Sequence, residues 1–578
     1  MDLYDHSPLS LKERVQKIFR SYSFKEQVFL SILAVVALGS LLSIGSKIID
    51  KTTVPVPAYG GTMTEGIVGV PHFINPLLAV SDADSDLARL VFSGLTRKKN
   101  DGSYVPDLAE SISVSSDGLI YTATLKKNLY FHDGQKITAD DILFTIKLAQ
   151  DGNIKSPAKV LWDGVTVEKV DNVTIKFSLK QAYPDFEDIL TTGILPKHIW
   201  GNIPAEQFSL QEHNIEAIGS GPYKIKKITK DGSGSPTQIT LESFNRFSLG
   251  KPYINEITLS FFPNEKEMIN AYNKGSITNI GAVSPENAQI LSKKAGRSLN
   301  HAPLSRVFSV FFNQSEAPVL AQSDVRQALD MAINKEELVK EVLRGYGTEL
   351  DGPTTEDVWK NHGNTIAEVK TFLEKNGWVM TDGVYKKDTS TKVKGKKVTS
   401  SLTLSFSLAT SDEPELKAAA LFIQKKWTEL GARVELKIFA QGDLKQNVIR
   451  PRKFDSLLFG QIIDHESDLY AFWHSSQKTD PGLNIATYVN PSVDTLLTNA
   501  RIEEDIMKRE QDYEKIRETI KNDKPAIFLY APEYTYIHDE KIQGITLGLL
   551  SRSQDRFNDV YHWYKEQDHV WKIFAPKS

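Results

Sequence analysis

Eighteen consecutive uncharged residues, Val28–Gly45 (VFLSILAVVALGSLLSIG), constrain this chain more than any other feature in it. A run of that length and apolarity is about what a helix needs to cross a bilayer. Nothing else in the first 60 residues could cover it in a soluble core. Lys12, Arg14, Lys17, Arg20 and Lys25 precede the run, and only Lys47 and Lys51 follow closely. The positive-inside bias therefore places residues 1–27 in the cytoplasm and everything after about residue 46 outside. The competing reading is a cleaved signal peptide. Against it, the polar lead is long for an n-region and no A-x-A site follows, although Ser43 and Gly45 are small enough for cleavage. Under either reading the bulk of the chain is exported. The expectation is an uncleaved anchor at 28–45, single-pass in the cell membrane, with the main domain extracytoplasmic (periplasmic or at the cell surface).

The chain has no cysteine. That excludes disulfides, thiolate catalysis, cysteine metal sites and a lipid attached through an N-terminal cysteine. A net charge of -4 leaves no basic excess to neutralise phosphates, so nucleic acid is not the expected partner. At 578 residues the chain is too long for one core. Two prolines in 46–57 read as a short linker. Beyond it, strand and helix patterns alternate, which argues α/β architecture. Val173, Ile175, Phe177 and Leu179 alternate with polar partners, as do Tyr121, Ala123 and Leu125. Thr138 offers an N-cap to a helix with Asp140 and Asp141 in its first turn. Asn334 with Glu337 forms a second capping pattern. A helix from about Glu413 ends at Gly431, before the strand pattern Val434, Leu436, Ile438. Another helix over about 503–522 leads into the apolar run Ala526–Tyr530. Residues 231–236 and the Lys-rich stretch 386–397 read as solvated loops.

Catalytic motifs are missing from the sequence. There is no G-x-x-x-x-G-K-[ST] phosphate loop and no H-E-x-x-H, and Gly232–Ser235 has the wrong glycine offsets for a nucleophile elbow. His301, His362, His465 and His474 are scattered, and a histidine without placed partners is more often a surface or core residue than a catalyst. No enzyme activity, cofactor or metal is expected. A tethered hydrolase survives only as an activity that motifs cannot detect.

Six ordered stretches then bear on function. PDLAESISVSSDGLIYT (from Pro106), FHDGQKITADD (Phe131–Asp141) and GSGPY (Gly219–Tyr223) come first. Asn313 with DVRQAL (Asp324–Leu329), AINKEEL (Ala332–Leu338), and Asn484, Tyr488, Asn490, Pro491 and Asp494 follow. In order and spacing they resemble the peptide/nickel-type solute-binding proteins of ABC importers, over about Gly60 to Gly544. The resemblance implies a two-lobed periplasmic-binding-protein-like fold (type II, large class with an extra subdomain), here preceded by one transmembrane helix. It places lobe one at 58–302 and 527–578, with an inserted subdomain at about 100–204, and lobe two at 303–526. Val307–Asn313 and Ala526–Pro532 would cross between lobes that close on a ligand by a hinge motion. It further implies a monomer that hands a small ligand, a peptide, to ABC permease subunits. The chain departs from the family's pattern at Ser93, where an acid is common, and in lacking a lipid-bearing cysteine.

A peptide enclosed in a cleft brings a charged amine, and a buried unpaired ammonium is costly. In Phe459–Trp473 (FGQIIDHESDLYAFW), Asp464 aligns with the acid that pairs this amine in family members, so the resemblance makes it the leading contact. A helix N-cap or loop aspartate is the competing reading. Tyr470, Trp473 and Tyr488 could supply aromatic walls, or belong to the core. His465, Asn313 and Asn484 complete the expected ligand-binding set. Family members take peptides, metal chelates or sugars on one frame, and a non-transport peptide receptor or chaperone of the same fold is the alternative function.

Overall fold

The computed structural model describes residues 11–183, 185–360, 363–393, 396–503 and 505–574. Within helices and strands it leaves aside the side chains of 11, 13–15, 17, 41–42, 44–50, 389–393, 396–400 and 506. His362 therefore lies outside the described residues. The chain forms two units, Met1–Gly60 with Tyr564–Ser578, and Gly61–Trp563.

The first unit begins with the helix Leu11–Arg20 and the helix Phe24–Thr52. Their junction is specified by hydrogen bonds. The backbone N–H and the hydroxyl of Ser23 both donate to Glu26, each at 2.8 Å. The Gln27 amide donates to the carbonyls of Phe19 (3.0 Å) and Tyr22 (2.9 Å), acceptors a helix end leaves bare. The expected anchor lies in the second helix, but the side chains of Leu41, Leu42, Ile44 and Gly45 fall outside the described residues. Among the described residues no helix is long and apolar enough to cross a membrane.

The stretch expected as a linker, 46–57, is instead the end of that helix and most of a strand. Thr53–Ala58 pairs antiparallel with Glu566–Trp571, Thr53 facing Trp571 and Ala58 facing Glu566. Pro55 and Pro57 are two residues apart and so share one side of the strand, leaving the side of Val54 and Val56 free to make the ladder.

The second unit is organised by one long sheet. Its strand order is Arg433–Phe439, Ser405–Ser411, Ser456–Ile462, Arg306–Phe312, Ala526–Asp539, Asn279–Gly281, Thr62–Val68, Glu256–Phe262, Pro236–Ser243, Tyr223–Lys230. Ala526–Asp539 is shared between two halves. Its first half pairs with Arg306–Phe312 and Gly347–Glu349, its second with Asn279–Gly281 and Arg297–Pro303. A separate four-stranded sheet joins Ala109–Val114, Ile120–Leu125, Thr174–Leu179 and Val165–Lys169. Apolar side chains gather accordingly. Met63, Leu87, Phe131, Trp162, Tyr536 and Trp563 share one core. Val310, Trp378, Trp427 and Leu529 share a second, and Phe311, Trp473, Ile516 and Phe528 a third.

Local signals place several elements as expected. Thr138 and Asp141 form a reciprocal capping box on the helix Ala139–Gln150. The helix Pro414–Leu430 ends at Gly431 with φ of 109°, a backbone that favours glycine. In the Gly219–Tyr223 turn, a Cβ on Gly219 would stand 2.1 Å from the Val91 carbonyl oxygen, so the turn packs directly on backbone. The Lys-rich stretch differs from expectation: it lies in a hairpin of Val384–Val393 against Lys396–Thr403. Thr389, Thr391 and Val393 fall on every second position, and such β-branched residues suit a strand as readily as lysines suit a loop.

Deep in the first core, Arg556 is bidentate to Asp86 (2.8 and 2.6 Å) and meets Glu65 through Nε and Nη2 (2.9 and 2.6 Å). The Tyr536 hydroxyl donates to Glu65 at 2.7 Å. All four side chains are buried. Burial pushes the Asp86 carboxyl up to about 6, against the pull of Arg556. Arg556→Ala strands two carboxylates and is expected to cost about 3–5 kcal/mol of stability, read by urea unfolding. Neutralising both acids (Glu65→Gln, Asp86→Asn) in the Arg556→Met background should return most of it; no return would mean that packing alone matters there.

Candidate functional site

The segment after the strand Ser456–Ile462 turns at Asp464 and His465 into a short helix, Leu469–Trp473. Asp468 shapes the turn: its Oδ2 accepts the backbone N–H groups of Asp464 (3.0 Å) and His465 (3.1 Å). Opposite stand residues far away in sequence. His465 Nδ1 is 3.5 Å from Asp185 Oδ1, and the Ser467 hydroxyl donates to the same carboxylate. The Tyr104 hydroxyl donates to Asp188 at 3.0 Å, and Lys98 Nζ to the Ser551 hydroxyl at 3.2 Å.

The electrostatics of this cluster are one-sided. Burial pushes the Asp464 carboxyl above its ordinary range. A hydrogen bond from Ser551 and the charge of Lys98 oppose the shift, and Asp188 and Asp555 add to it. Burial also pushes Asp468 up to about 6, against the N–H of His465. The Tyr104 hydroxyl is raised by burial and by Asp188. Two buried polar atoms at this junction, Asp464 Oδ1 and His465 Nε2, have no hydrogen-bond partner among the described residues. A half-buried site with surplus carboxylate and an unfilled acceptor suits an incoming cation with N–H groups to donate.

Beside the cluster lies a cavity of about 370 Å³, lined among others by the turn Ser115–Gly118, Tyr121, Tyr183, Arg501 and Arg509. Asp117 in that turn is held below the usual carboxylate range by Ser115 and by the N–H of Leu119. Tyr513 joins the two regions: burial raises its hydroxyl to about 12, with Asp185 adding to the shift and Arg509 and Arg501 opposing it.

The sequence-derived residues divide. Asp464 and His465 stand in the cluster. Tyr470 stacks on His474 at 4.3 Å, and the Arg501 guanidinium lies 4.5 Å over its ring, near the cavity. The other four hold scaffold positions. Trp473 is fully buried among Phe311, Tyr488 and Phe528, in the core and not in a ligand wall. Asn484 is buried and donates to the carbonyls of His474 (3.2 Å) and Tyr488 (2.9 Å). The Tyr488 hydroxyl donates to Asp523 at 2.5 Å. Asn313 donates to the Arg452 carbonyl at 2.8 Å. In Asn484, Tyr488 and Asn313 these side-chain polar atoms are used by neighbouring chain. Sequence reasoning missed Lys98, Tyr104, Asp185, Asp188 and Arg509. Asp468 alone carried a local signal, the capping spacing His465-x-x-Asp468.

Hydrolytic chemistry finds little footing. His474 Nδ1 lies 2.8 Å from the Ser476 hydroxyl, but it also accepts the Ser476 N–H at 3.1 Å, and its Nε2 is 4.0 Å from Asp494. That is a turn cap and not a base poised on a nucleophile. Among the described residues no group of His and acidic side chains is arranged to hold a metal ion.

Two α/β lobes with a junction lined by ionisable side chains define a binding protein of the periplasmic type. The family profile described as bacterial extracellular solute-binding proteins, family 5, matches residues 103–482, and the chain belongs to that family. The oligopeptide-binding protein AppA of Bacillus subtilis is 29% identical over 539 residues, 89% of this chain and 95% of that protein. Its structure with a nonapeptide superposes with a TM-score of 0.68 at 27% identity, covering 88% of this chain and 99% of AppA. The substrate-binding protein CtaP of Listeria monocytogenes gives a TM-score of 0.74 at 26% identity, covering 88% and 100%. NikZ of Campylobacter jejuni, solved with Ni(L-His), gives 0.68 at 25% identity, covering 87% and 99%.

A carboxyl whose affinity for protons is raised by folding stabilises the fold fully below the ordinary aspartate pKa, about 3.9, and progressively less as pH rises through its folded value. With Asp468 at about 6, stability is expected to fall between roughly pH 4 and pH 6. Thermal unfolding against pH should show that fall shrinking in Asp468→Asn, whose amide oxygen can still accept the two N–H groups. An unchanged slope would assign the titration elsewhere.

Proposed function

We propose that this chain captures a peptide in the cleft between its lobes and delivers it to an ABC importer, while held to the cell membrane by its N-terminal helix with the binding unit outside. The observation that carries the peptide reading is the buried, unpartnered Oδ1 of Asp464 amid surplus carboxylate. A peptide α-amine supplies both the positive charge and the N–H donors that such a site lacks. The adjacent cavity gives the rest of the ligand room, with Arg501 and Arg509 as well as Asp117 and Glu503 on its wall. AppA was solved holding a nonapeptide, which favours a peptide over the metal chelate held by NikZ. The lobe boundaries we assign are 58–302 with 527–578 and 303–526, with an inserted subdomain at about 100–204. The working unit is a monomer.

The tether reading rests on the helix Phe24–Thr52. Val28, Phe29, Ile32, Leu33, Val35, Val36 and Leu38 are all exposed on it, and these positions run round the helix and not along one stripe. An apolar surface on every side suits lipid and not a protein core. Without cysteine, the helix does what a lipid anchor would do.

Titration of the purified chain with one peptide in free-amine and N-acetylated forms tests the site. Asp464→Ala is expected to weaken the free-amine form by about 3 kcal/mol, roughly a hundredfold in Kd, and the acetylated form far less. Equal losses would sink the assignment of Asp464. Mass spectrometry of whatever co-purifies with the chain tests the ligand class: a metal chelate or sugar in place of peptides would refute it.

A further inference from the structure

The C-terminal segment is graded in composition along its strand. Glu566 and Asp568 pair with Ala58 and Val56, far from the N-terminal helix, and Trp571 pairs with Thr53, the residue directly after the helix ends at Thr52. Beyond Trp571 come Lys572, Ile573 and Phe574 in a short helical turn. Trp571 is 55% exposed, Ile573 82% and Phe574 72%, so three large apolar side chains stand together in water. A surface of this kind on so short a segment calls for a partner.

Strand direction says which one. Thr53–Ala58 leads away from the helix, and its partner runs antiparallel, so residues after Trp571 head back toward the helix end. Thr53 is eight residues past Gly45, the end of the apolar run, or about 12 Å at the helical rise. The headgroup zone occupies about 5–8 Å beyond the hydrocarbon on each side. The turn Lys572–Phe574 is therefore directed into that zone. Its composition fits: Trp is favoured at the membrane interface, Ile and Phe bury in its apolar margin, and a lysine meets lipid phosphate.

We propose that Trp571–Phe574 is a second membrane contact, which seats Trp571, Ile573 and Phe574 in the headgroup zone of the leaflet from which the helix emerges. The inference rests on the reading of Phe24–Thr52 as a membrane anchor. Gly61 and Trp563, the two ends of the binding unit, then both lead by a few residues into a paired stalk fixed to one membrane surface. A stalk held at two points resists swivelling, as a single flexible tether does not.

Because the chain has no cysteine, one introduced thiol labels uniquely. The full chain in nanodiscs of phosphatidylcholine and phosphatidylglycerol would carry an environment-sensitive fluorophore at Phe574→Cys, or at Ile573→Cys should the first variant misfold. Val35→Cys reports the span, and Leu210→Cys on the binding unit is an exposed control. Lipids spin-labelled at shallow or deep positions serve as quenchers. The expected result is stronger quenching of the 573 or 574 label by the shallow lipid, of the 35 label by the deep lipid, and none at 210. Quenching at 35 with none at 573 and 574 overturns the second contact and leaves the anchor standing. No quenching at 35 overturns the anchor, and the second contact as stated falls with it. A label at 574 shielded from aqueous iodide but untouched by either lipid means that the segment docks on protein, which also overturns the proposal.

Discussion

The strand Ala526–Asp539 is the member on which the second unit depends. It is buried along nearly its whole length and takes part in both halves of the long sheet. Among the described residues no other strand pairs with partners from both halves. Where it changes partners, proline appears on both chains: Pro303 faces Glu533, and the Leu304 N–H donates to the Pro532 carbonyl at 3.0 Å. A proline cannot donate to a ladder, so carbonyls carry the exchange there, and Gly347–Glu349 pairs with Tyr530–Pro532 across the same point. The strand is thus paired without a gap while its partners change, and separate cores lie on either side.

The charges in the two halves are handled in opposite ways. In the first core, Arg556 answers Glu65 and Asp86 at short range, and Tyr536 ties the shared strand to the same group. At the junction, Asp464, Asp468, Asp185 and Asp188 face few cations, and burial raises Asp464 and Asp468. Buried acids that are answered lend rigidity, and buried acids that are not make the closed junction costly while it is empty. If the junction is the ligand site, as proposed, a cationic group would remove that cost, and binding would favour the closed state through occupancy and not merely through contact area.

Legibility in the sequence followed the range of the interaction. The capping box at Thr138 and the left-handed Gly431 are decided within a few residues, and both were readable. The hairpin over the Lys-rich stretch and the strand over the proline-bearing linker were not, because each depends on a partner strand: up to 17 residues away in one case and more than 500 in the other. Asp464 drew attention through its motif, but Lys98, Asp185 and Asp188 come to the same cluster from other elements with no local sign. Asn313, Asn484 and Tyr488 drew attention as motif residues too, and the structure places their side-chain hydrogen bonds on neighbouring chain. Ser93, the departure from the family's pattern, is buried with its hydroxyl on the Ser220 carbonyl at 3.4 Å. There it supports the Gly219–Tyr223 turn.

On the reading of Phe24–Thr52 as an anchor, the pairing of Thr53–Ala58 with Glu566–Trp571 changes what a tether could be. A chain joined to its anchor by a flexible linker explores a volume that grows with linker length, and its cleft meets a membrane partner by diffusion within it. Here the linker is spent in a ladder, with two prolines on the outer edge to discourage further strand addition. Only Tyr59 to Gly61 on one side and Tyr564 and Lys565 on the other join ladder and binding unit. Ordering those strands costs conformational entropy once, on folding.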